Sequence, residues 1–466
     1  MNRSYDEIKG RLAEHGQEHV LRFWAQLNES QRQALLDQLA DLDFEALARM
    51  RTLLKSGHEP VASGAFRPAP VVRLEGAERQ QAHEAGEALL RAGEAGCILV
   101  AGGQGTRLGF DGPKGCFPIG PISGATLFQI HARKILALEK QYGAPVPFYI
   151  MTSLENDGAT RAFFERHNCF GLDPQRVLFF SQGLWPAMTD DGRMVLERPD
   201  RVFMSPDGHG GLIRALDERG MLDDMARRGL SVLFYFQVDN PLVDIADPAF
   251  LGLHRQRQAE MSVKVCAKSG PEEKVGVVVT RDGRDAVVEY SELTREQMYA
   301  TGPDGELLFR YGSVAIHAFS RDFLARATRI PMPMHMARKK TPYCDESGDT
   351  VKPDAPNAIK FEKFIFDLLP EAERTVNLEF AREDEFSPVK NATGDDSPVT
   401  TRRDMMRKAA RRLAACGASI PRSKDGDPLC KLEMDPLFDC RPESLRALLG
   451  PEMTIEKDTL LQDKPS

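Results

Sequence analysis

An apolar strand that runs straight into a glycine-rich loop is the feature that most restricts how this chain can fold. Residues 97–100 are apolar, and four glycines lie within the next nine residues. A helical pattern at about 126–142 and a second apolar strand at 147–152 come next. Further strand-like runs lie at 177–180, 232–238, 261–267 and 275–280. Because apolar strands alternate with helical patterns, we expect an α/β domain whose mostly parallel sheet is covered on both faces.

Two Asp-Gly pairs interrupt this alternation. Asp191-Gly192 and Asp282-Gly283 each lie between two strand-like runs. An Asp-Gly pair in that position is typical of a tight β-hairpin. We therefore predict β-ribbons inserted into the α/β pattern, and with them a mixed central sheet.

The composition changes twice along the chain. Apolar residues recur at helical spacing over residues 4–55, and a stretch rich in Pro, Gly and Ala follows at 56–71, which we expect to form a linker or wrapped loop. Near the C-terminal end, an Arg-rich helical pattern leads into short, Pro-rich segments. These changes predict an N-terminal helical domain at 1–80, an α/β core with β-ribbon insertions at 81–391 and a small C-terminal domain at 392–466.

Charge and composition exclude several classes of function. The 466 residues carry a net charge of -8, which argues against a basic nucleic-acid groove and against docking on an anionic membrane. The sequence has no run of roughly 20 apolar residues that could span a bilayer, and its start lacks the apolar segment of a secretory signal. The eight cysteines lack a Cys-x-x-Cys spacing, which is typical of reduced thiols. We expect a cytoplasmic protein that binds neither nucleic acid nor membrane; its oligomeric state is not predicted.

The glycine-rich loop matches neither of two common phosphate-binding patterns. Gly103 and Gly105 fit the first two glycines of the dinucleotide fingerprint, but Leu108 occupies the third position, and the chain has no Gly-Lys-Ser/Thr of a Walker loop. The loop instead carries Arg107 and leads to Lys114. Glycines let backbone N–H groups approach a phosphate, arginine grips phosphate oxygens through two N–H groups, and lysine adds a compact charge. The pattern predicts a phosphate site other than that of a dehydrogenase or a P-loop kinase.

A carboxylate follows another apolar strand. Asp239 comes directly after the run at 232–238. Ligands of open α/β sheets bind beyond the carboxyl ends of strands, and Mg²⁺ prefers one or two carboxylates together with phosphates and waters. Asp239 is therefore a candidate ligand for Mg²⁺, although an aspartate that caps the turn before Asn240-Pro241 fits the residues as well.

Residues 102–109 (GGQGTRLG) with 113–115 (PKG) resemble the signature of sugar-nucleotide pyrophosphorylases, in particular the UDP-N-acetylhexosamine pyrophosphorylases of the UDP-sugar pyrophosphorylase family. The resemblance covers roughly residues 95–400, far more than a lone glycine motif. It continues in order through 126–130, 149–153, 180–183, 205–211, 238–240, 288–292, 352–354, 359–364 and 382–388. It implies a glycosyltransferase-A-like, Rossmann-like α/β core with a mixed central sheet, between an N-terminal helical segment and a small C-terminal domain.

The resemblance also implies roles for individual residues. The implied nucleotide site consists of Val100, Ala101, Gly102, Gly103, Gln182, Gly208 and Asp239, with Asp239 as the ligand of a Mg²⁺ cofactor. The implied sugar site consists of His209, Glu289, Tyr290 and Ser313. The implied catalytic cations are Arg107, Lys114 and Lys360. Among these, Gln182 suits uracil because an amide offers both a donor and an acceptor.

Two places depart from the family pattern. His209 stands where the close relatives usually carry asparagine, and residues 312–317 (GSVAIH) correspond to a Gly-Asn-x-x-Asn-His stretch. Two amides that could hydrogen-bond sugar hydroxyls or an N-acetyl group are absent from that stretch. A site that loses such groups can change its substrate selectivity by orders of magnitude. The identity of the sugar therefore stays open.

The implied reaction is uridylyl transfer, in which UTP and a sugar 1-phosphate form a UDP-sugar and pyrophosphate. N-acetylhexosamine 1-phosphate is the expected sugar substrate. The alternatives are a UTP–glucose-1-phosphate uridylyltransferase and a broad-specificity UDP-sugar pyrophosphorylase. The intact set of Arg107, Lys114, Asp239 and Lys360 argues against a catalytically silent sensor of UDP-sugars. A glycosyltransferase lacks support because we find no Asp-x-Asp motif near a strand end.

Overall fold

Helices and strands alternate along most of the chain, of which a computed structural model describes residues 4–57, 65–438 and 442–462. The α-helices of these residues are α1 (Tyr5–Glu14), α2 (Glu29–Ala40), α3 (Phe44–Ser56), α4 (Gly76–Arg91), α5 (Leu127–Tyr142), α6 (Asp157–Arg166), α7 (Leu212–Glu218), α8 (Met221–Arg227), α9 (Pro248–Gln256), α10 (Arg295–Tyr299), α11 (Arg321–Ala327), α12 (Arg382–Glu385), α13 (Pro398–Ala415) and α14 (Pro442–Leu449). The strands are β1 (Phe66–Pro68), β2 (Ala95–Val100), β3 (Phe148–Thr152), β4 (Val177–Ser181), β5 (Leu184–Pro186), β6 (Leu196–Arg198), β7 (Arg201–Val202), β8 (Met204–Pro206), β9 (Val232–Gln237), β10 (Met261–Ala267), β11 (Val277–Arg281), β12 (Arg284–Val288), β13 (Tyr311–Ser320), β14 (His335–Lys339), β15 (Tyr343–Cys344), β16 (Thr350–Val351), β17 (Ala358–Glu362), β18 (Thr375–Glu379), β19 (Leu432–Met434) and β20 (Thr459–Leu461).

The chain forms two units, each built from segments that are distant in sequence. The first unit contains the described residues of Met1–Gly64 together with Gln182–Arg214 and Pro331–Asp367. The second unit contains the described residues of Ala65–Ser181, Ala215–Ile330 and Leu368–Ser466.

A mixed sheet forms the centre of the second unit. Its main order is β1-β11-β13-β9-β2-β3-β4, with β10 paired to β13 and β18, and β12 paired to β11. The neighbours β9, β2, β3 and β4 are parallel, whereas β13 runs antiparallel to both β9 and β10. Because the residues of β2, β3 and β9 are almost all buried, these strands read as continuous apolar runs. The expected mixed α/β sheet is confirmed.

Helices cover this sheet closely. On α4 and α9, Gly86 and Gly252 let the two backbones touch, since a Cβ on Gly252 would lie 1.7 Å from the Ala82 carbonyl oxygen. Helix α5 begins where the Thr126 hydroxyl accepts the Gln129 N–H and ends at Gly143, whose φ of 69° is left-handed. These contacts fix the helix that follows the glycine loop.

Helix α13 and strands β19 and β20 surround a smaller core in the same unit. Leu413, Leu432, Leu445, Ile455 and Leu461 are buried in it. The C-terminal segment therefore has apolar residues of its own to bury, although it belongs to the unit that contains the sheet.

The first unit packs α1, α2 and α3 against residues of short β-ribbons. Its core combines helix residues such as Leu12 and Leu47 with Trp185 and Met194. The buried Gln17 side chain donates to the Gly192 carbonyl oxygen at 2.8 Å and accepts the Met194 N–H at 2.8 Å. A turn about 175 residues further along the chain is thus hydrogen-bonded to the segment that follows α1.

The structure refines several sequence expectations. The hairpin at Asp282-Gly283 is confirmed, with β11 and β12 paired antiparallel around it. The loop expected at 56–71 is wrong at Phe66–Pro68, which form β1 because they pair with β11; residues 58–64 of that loop lie outside the described residues. The expected boundaries at 80 and 391 do not coincide with the two units, since tertiary contacts join segments that composition treats separately. As a division into independently folding domains, the three parts stay a prediction.

Candidate functional site

The glycine-rich loop begins where β2 ends and closes on itself. The Ala101 N–H donates to the Met151 carbonyl oxygen of β3 at 2.8 Å, which continues the parallel ladder by one residue. The Gly105 N–H donates to the Gly112 carbonyl oxygen at 2.9 Å, and the Lys114 N–H to the Gly103 carbonyl oxygen at 3.0 Å. Hydrogen bonds within the loop therefore bring Lys114 back to the end of β2.

Asn156 fixes the backbone of the loop through hydrogen bonds and was not predicted as a site residue from the sequence. Its buried amide donates to the carbonyl oxygens of Ala101 at 2.9 Å and Gly103 at 3.2 Å, and its oxygen accepts the Ser153 N–H at 2.9 Å. Within the described part of the chain, the N–H groups of Gly102 and Gly103 have no acceptor. Because the Ala101 carbonyl points to Asn156, the Gly102 N–H of the same trans peptide points the opposite way and stays available for an anion, and the Gly103 N–H is likewise unbonded.

Lys114 and Asp239 form an ion pair beside this loop. The Lys114 ammonium lies 2.9 Å from Asp239 Oδ2, and the two side chains are only 16% and 13% exposed. Burial alone would raise the pKa of Asp239, but Lys114, followed by Lys390, holds this pKa below its usual value. The structure thus brings together two of the predicted site residues and keeps the carboxylate ionised.

His131 on α5 bonds to the backbone of Val238, the residue before Asp239. Its ring Nε2 lies 3.0 Å from the Val238 carbonyl oxygen, so Nε2 carries the proton and donates. The ring is fully buried, and this burial lowers the pKa of His131 to about 3. A neutral histidine therefore anchors the residue just before the carboxylate.

Lys390 is a further cation that sequence reasoning missed as a site residue. The preceding residue, Val389, donates its N–H to the Asp239 carbonyl oxygen at 2.8 Å. The ammonium of Lys390 acts on the carboxylate of Asp239 and lowers its pKa. Arg107, by contrast, is exposed on a 3-10 turn, and no partner for its guanidinium occurs among the described residues. The site therefore combines an exposed arginine on the loop with two lysines that act on Asp239.

Glu289 and Ser313 approach each other around Gly276, next to the paired strands β11, β12 and β13. The Ser313 N–H donates to the Gly276 carbonyl oxygen at 2.8 Å. A Cβ on Gly276 would lie 3.1 Å from Glu289 Oε1. Tyr290 follows Glu289 and is partly exposed. Three of the predicted sugar-site residues thus gather where the ribbon joins the central sheet.

The other predicted residues, Gln182, Gly208, His209 and Lys360, belong to the first unit. Gly208 has a φ of 84°, and a Cβ there would lie 2.4 Å from the Lys363 carbonyl oxygen, so only glycine fits this turn. The turn is fixed because the Lys363 N–H donates to the Asp207 carbonyl oxygen at 2.8 Å. Lys360 lies on β17, just before this contact, with its ammonium 4.7 Å from the centre of the Phe203 ring.

His209 is held by both backbone and rings. The Ile365 N–H donates to its Nδ1 at 3.1 Å, and its ring stacks on Phe364 with centroids 5.3 Å apart. Burial first, and His335 to a smaller extent, lowers the pKa of His209 to about 4. This histidine is neutral near pH 7 and keeps its Nε2–H as a donor. His317 is fully buried on β13, as expected of a structural residue.

The described part of the chain contains no group of three or more His, Cys, Asp or Glu side chains arranged around one point. Mg²⁺ keeps several waters and often takes a single carboxylate together with substrate phosphates. The ionised Asp239 beside the open N–H groups fits such an ion, provided that the ion arrives with a phosphate ligand.

Comparisons with known proteins agree with the expected family. A family model described as UTP–glucose-1-phosphate uridylyltransferase matches residues 51–412. The chain is 41% identical to the human UDP-N-acetylhexosamine pyrophosphorylase-like protein 1, over 96% of this chain and 95% of that protein. It is 37% identical to the Arabidopsis thaliana UDP-N-acetylglucosamine diphosphorylase 2, over 94% of this chain and 90% of that protein. Among solved structures, the uridine diphosphate N-acetylglucosamine pyrophosphorylase from Trypanosoma brucei superposes with a TM-score of 0.79 at 27% identity, with 98% of each chain covered.

Two further observations concern membrane-spanning helices and the state of the cysteines. Among the helices that the structure describes, none has the length and apolar character that crossing a membrane requires. The seven cysteines within the described ranges are all free thiols, and Cys440 lies outside those ranges.

Proposed function

Because the chain belongs to the UTP–glucose-1-phosphate uridylyltransferase family, we propose that it forms a UDP-sugar and pyrophosphate from UTP and a sugar 1-phosphate. One observation carries the proposal. A glycine loop with free N–H groups lies beside the buried pair of Lys114 and Asp239, and Lys390 acts on the same carboxylate. Such an arrangement suits a triphosphate, whose several negative charges need donors and cations at once.

The chemical step is an in-line displacement at the α-phosphorus of UTP. An anionic oxygen of the sugar 1-phosphate forms the new P–O bond. The bond from the α-phosphorus to the oxygen that bridges it to the β-phosphorus breaks, and pyrophosphate leaves with that electron pair. No general base is needed because the nucleophile is already an anion. Positioning and charge neutralisation therefore supply most of the catalysis.

The predicted phosphate-site residues of the second unit have separate roles in this reaction. The N–H groups of Gly102 and Gly103 bind phosphate oxygens, and Arg107 and Lys114 hold the β- and γ-phosphates and stabilise the leaving pyrophosphate. Asp239 would hold Mg²⁺, which would neutralise charge on the phosphate oxygens. Removal of divalent ions with EDTA should abolish pyrophosphate release and added Mg²⁺ should restore it; turnover in EDTA would refute the role of Asp239.

The roles of the first-unit residues follow from the family resemblance. Gln182 and Gly208 bind uracil, Lys360 neutralises a phosphate, and His209 contacts the sugar through its Nε2–H. Burial lowers the pKa of Lys360, partly offset by Glu362, which suits a lysine that meets an anionic ligand. Lys360→Met should lower kcat; a wild-type rate in that variant would exclude this role.

The sugar is proposed to be an N-acetylhexosamine 1-phosphate, with Glu289, Tyr290 and Ser313 at the sugar. The names of the human and Arabidopsis relatives support this choice. A second candidate is glucose 1-phosphate, because Ser313 stands where the family carries an amide that could hydrogen-bond sugar hydroxyls or an N-acetyl group. Pyrophosphate release should be measured with UTP and the 1-phosphates of glucose, galactose, N-acetylglucosamine and N-acetylgalactosamine. The highest kcat/KM identifies the sugar, and no release with any of them would refute uridylyl transfer.

A cytoplasmic location is part of the same proposal. Free thiols at the described cysteines suit a reducing compartment such as the cytoplasm. Cell fractionation with an antibody to the chain tests this, and recovery in an oxidising compartment would contradict it.

A further inference from the structure

We infer that helix α13 is a brace for the phosphate site, and that its Lys408 is a positioning residue for Asp239. The inference rests on the proposed function, in which Asp239 holds Mg²⁺. It gives the C-terminal segment a part in the reaction although α13 carries none of the predicted site residues. Three chain segments contact α13 through polar side chains, and each segment begins or ends at a residue of the phosphate site.

The first contact holds the turn that directly follows Asp239. The Lys408 ammonium donates to the Leu242 carbonyl oxygen at 2.8 Å and to the Asp244 carboxylate at 2.6 Å. From the other side, Lys134 of α5 donates to the carbonyl oxygens of Pro241 and Val243, both at 2.6 Å. Three successive carbonyls are therefore fixed by two ammonium groups, and the direction in which Asp239 leaves its strand is fixed with them.

Apolar packing buries the side chains of Leu242 and Val243, but the carbonyl groups of this turn are held by the two lysines. Helices α5 and α13 and the turn line a cavity of about 1050 Å³, together with residues of the C-terminal segment. A segment that borders a cavity has few dispersion contacts on that side, so its position depends on the polar ties that cross to it. Loss of the Lys408 ammonium should therefore let the turn move.

The second contact holds the segment that carries Lys390. The Thr401 hydroxyl donates to the Pro388 carbonyl oxygen at 3.2 Å, and the Ser387 hydroxyl donates to the Asp404 carboxylate at 2.8 Å. This segment in turn reaches Asp239, through the Val389 N–H described above. Thr401 and Asp404 lie on the N-terminal half of α13, so one rigid helix sets the position of both the carboxylate and the second lysine.

The third contact holds the chain that follows Lys114. The Arg402 guanidinium donates to the carbonyl oxygens of Pro118 at 2.9 Å and Ile119 at 3.3 Å. Lys114, Asp239 and Lys390 come from three separate parts of the sequence, and α13 contacts the neighbouring residues of all three. A displacement of about 1 Å in a catalytic group can cost on the order of 10²-fold in rate, so such a brace affects the chemistry without touching substrate.

The test compares Lys408→Met with a matched variant on the same helix. Arg407 also bonds a carboxylate, Asp427 at 2.6 Å, and a carbonyl oxygen, that of Asp425 at 3.1 Å, but these belong to a C-terminal loop rather than to the Asp239 turn. Arg407→Met therefore removes contacts of the same kind at a place unconnected with the site. Thermal unfolding, kcat, KM for UTP and the Mg²⁺ concentration for half-maximal rate are measured for both, and for Lys408→Arg.

We expect Lys408→Met to lower kcat by roughly 10- to 100-fold and to raise the Mg²⁺ requirement several-fold, with Lys408→Arg recovering part of both. Arg407→Met should also lower the unfolding temperature, to a smaller extent because Arg407 is more exposed than Lys408, and should keep wild-type kinetics. Equal kinetics in the two methionine variants, or a change confined to unfolding temperature, would overturn the inference.

A binding measurement separates this inference from the proposed function. Calorimetric titration with UTP, in Mg²⁺ and again in EDTA, needs no turnover. The inference predicts that Lys408→Met weakens UTP binding in Mg²⁺ several-fold more than in EDTA, even if no sugar 1-phosphate proves to be a substrate. Failure of every sugar in the wild type would refute the proposed reaction; equal weakening with and without Mg²⁺ would refute the brace alone.

Discussion

Replacement of Asn156 by leucine removes both amide donors that hold the glycine loop while keeping the side-chain volume. The amide bonds to the carbonyl oxygens of Ala101 and Gly103, and Asn156 is only 1% exposed. Each of the two hydrogen bonds contributes about 1 kcal/mol net. Gly103 keeps the Lys114 N–H as a donor, whereas Ala101 loses its partner, and a buried unpaired carbonyl costs about 1–3 kcal/mol more. These loop contacts total about 3–5 kcal/mol, and the Ser153 N–H, which donates to the Asn156 oxygen at 2.9 Å, loses its acceptor as well and adds a cost outside the loop.

Relaxation of the loop should recover part of this cost in the free protein, and binding must then restore the native shape. If about 3 kcal/mol is drawn from binding in this way, kcat/KM for UTP should fall on the order of 10²-fold, since 1.4 kcal/mol corresponds to a factor of ten. The assay is pyrophosphate release at varied UTP, together with calorimetric binding of UTP and circular dichroism to verify the fold.

Asn377→Leu is the matched control. Asn377 is also buried in the second unit, and its amide donates to the Pro70 carbonyl oxygen at 3.1 Å and to Asp285 at 2.8 Å, away from the loop. It should lower stability and leave KM for UTP unchanged. Wild-type kcat/KM in a folded Asn156→Leu protein, or the same loss in both variants, would show that Asn156 does not shape the loop.

Three more predictions follow from the site. Lys114→Ala should lower kcat at least 10²-fold with an unchanged circular dichroism spectrum, while the exposed Lys424→Ala serves as control; near-normal turnover in Lys114→Ala would remove it from the chemistry. Burial lowers the pKa of His131 to about 3, so below about pH 6.5 only the unfolded chain takes up this proton, and the unfolding free energy should fall by about 1.4 kcal/mol per pH unit towards pH 3. His131→Gln should lack this component, and parallel pH profiles of denaturant unfolding in both proteins would contradict it. Ser313→Asn should raise the preference for N-acetylated over plain hexose 1-phosphate about tenfold, the equivalent of one hydrogen bond, measured as the ratio of kcat/KM values; an unchanged ratio would place Ser313 away from the sugar.

Local features of the fold could be predicted from sequence because their causes are local. The apolar run of β2 and the glycines after it encode a strand and a turn without reference to distant residues, and the Asp282-Gly283 hairpin is encoded in the same way. The ion pair of Lys114 and Asp239 combined two residues that motif and strand-end reasoning had each selected.

The supporting residues could not be predicted, since their roles exist only through tertiary contacts. Asn156 lies 55 residues from Ala101, and His131 lies 107 residues from Val238. An asparagine before a helix and a histidine within one are ordinary residues in sequence. Likewise, the interleaving of the first unit depends on Gln17 meeting a hairpin 175 residues away, a contact without any local pattern. Burial and long-range hydrogen bonding decide such positions.

The pair of Lys114 and Asp239 has a consequence for the order of binding under the proposed function. Without ligand, the two charges are largely buried and compensate each other, and breaking a buried pair by removing one partner is strongly unfavourable. Mg²⁺ alone would have to displace Lys114 from the carboxylate and leave its ammonium without a partner. A triphosphate alone would draw Lys114 away and leave Asp239 facing phosphate oxygens. If metal and triphosphate were bound together, Asp239 would face the metal and Lys114 a phosphate, so neither charge would be left buried and alone. Under the proposed function, the ion pair should therefore favour the metal–nucleotide complex over either component.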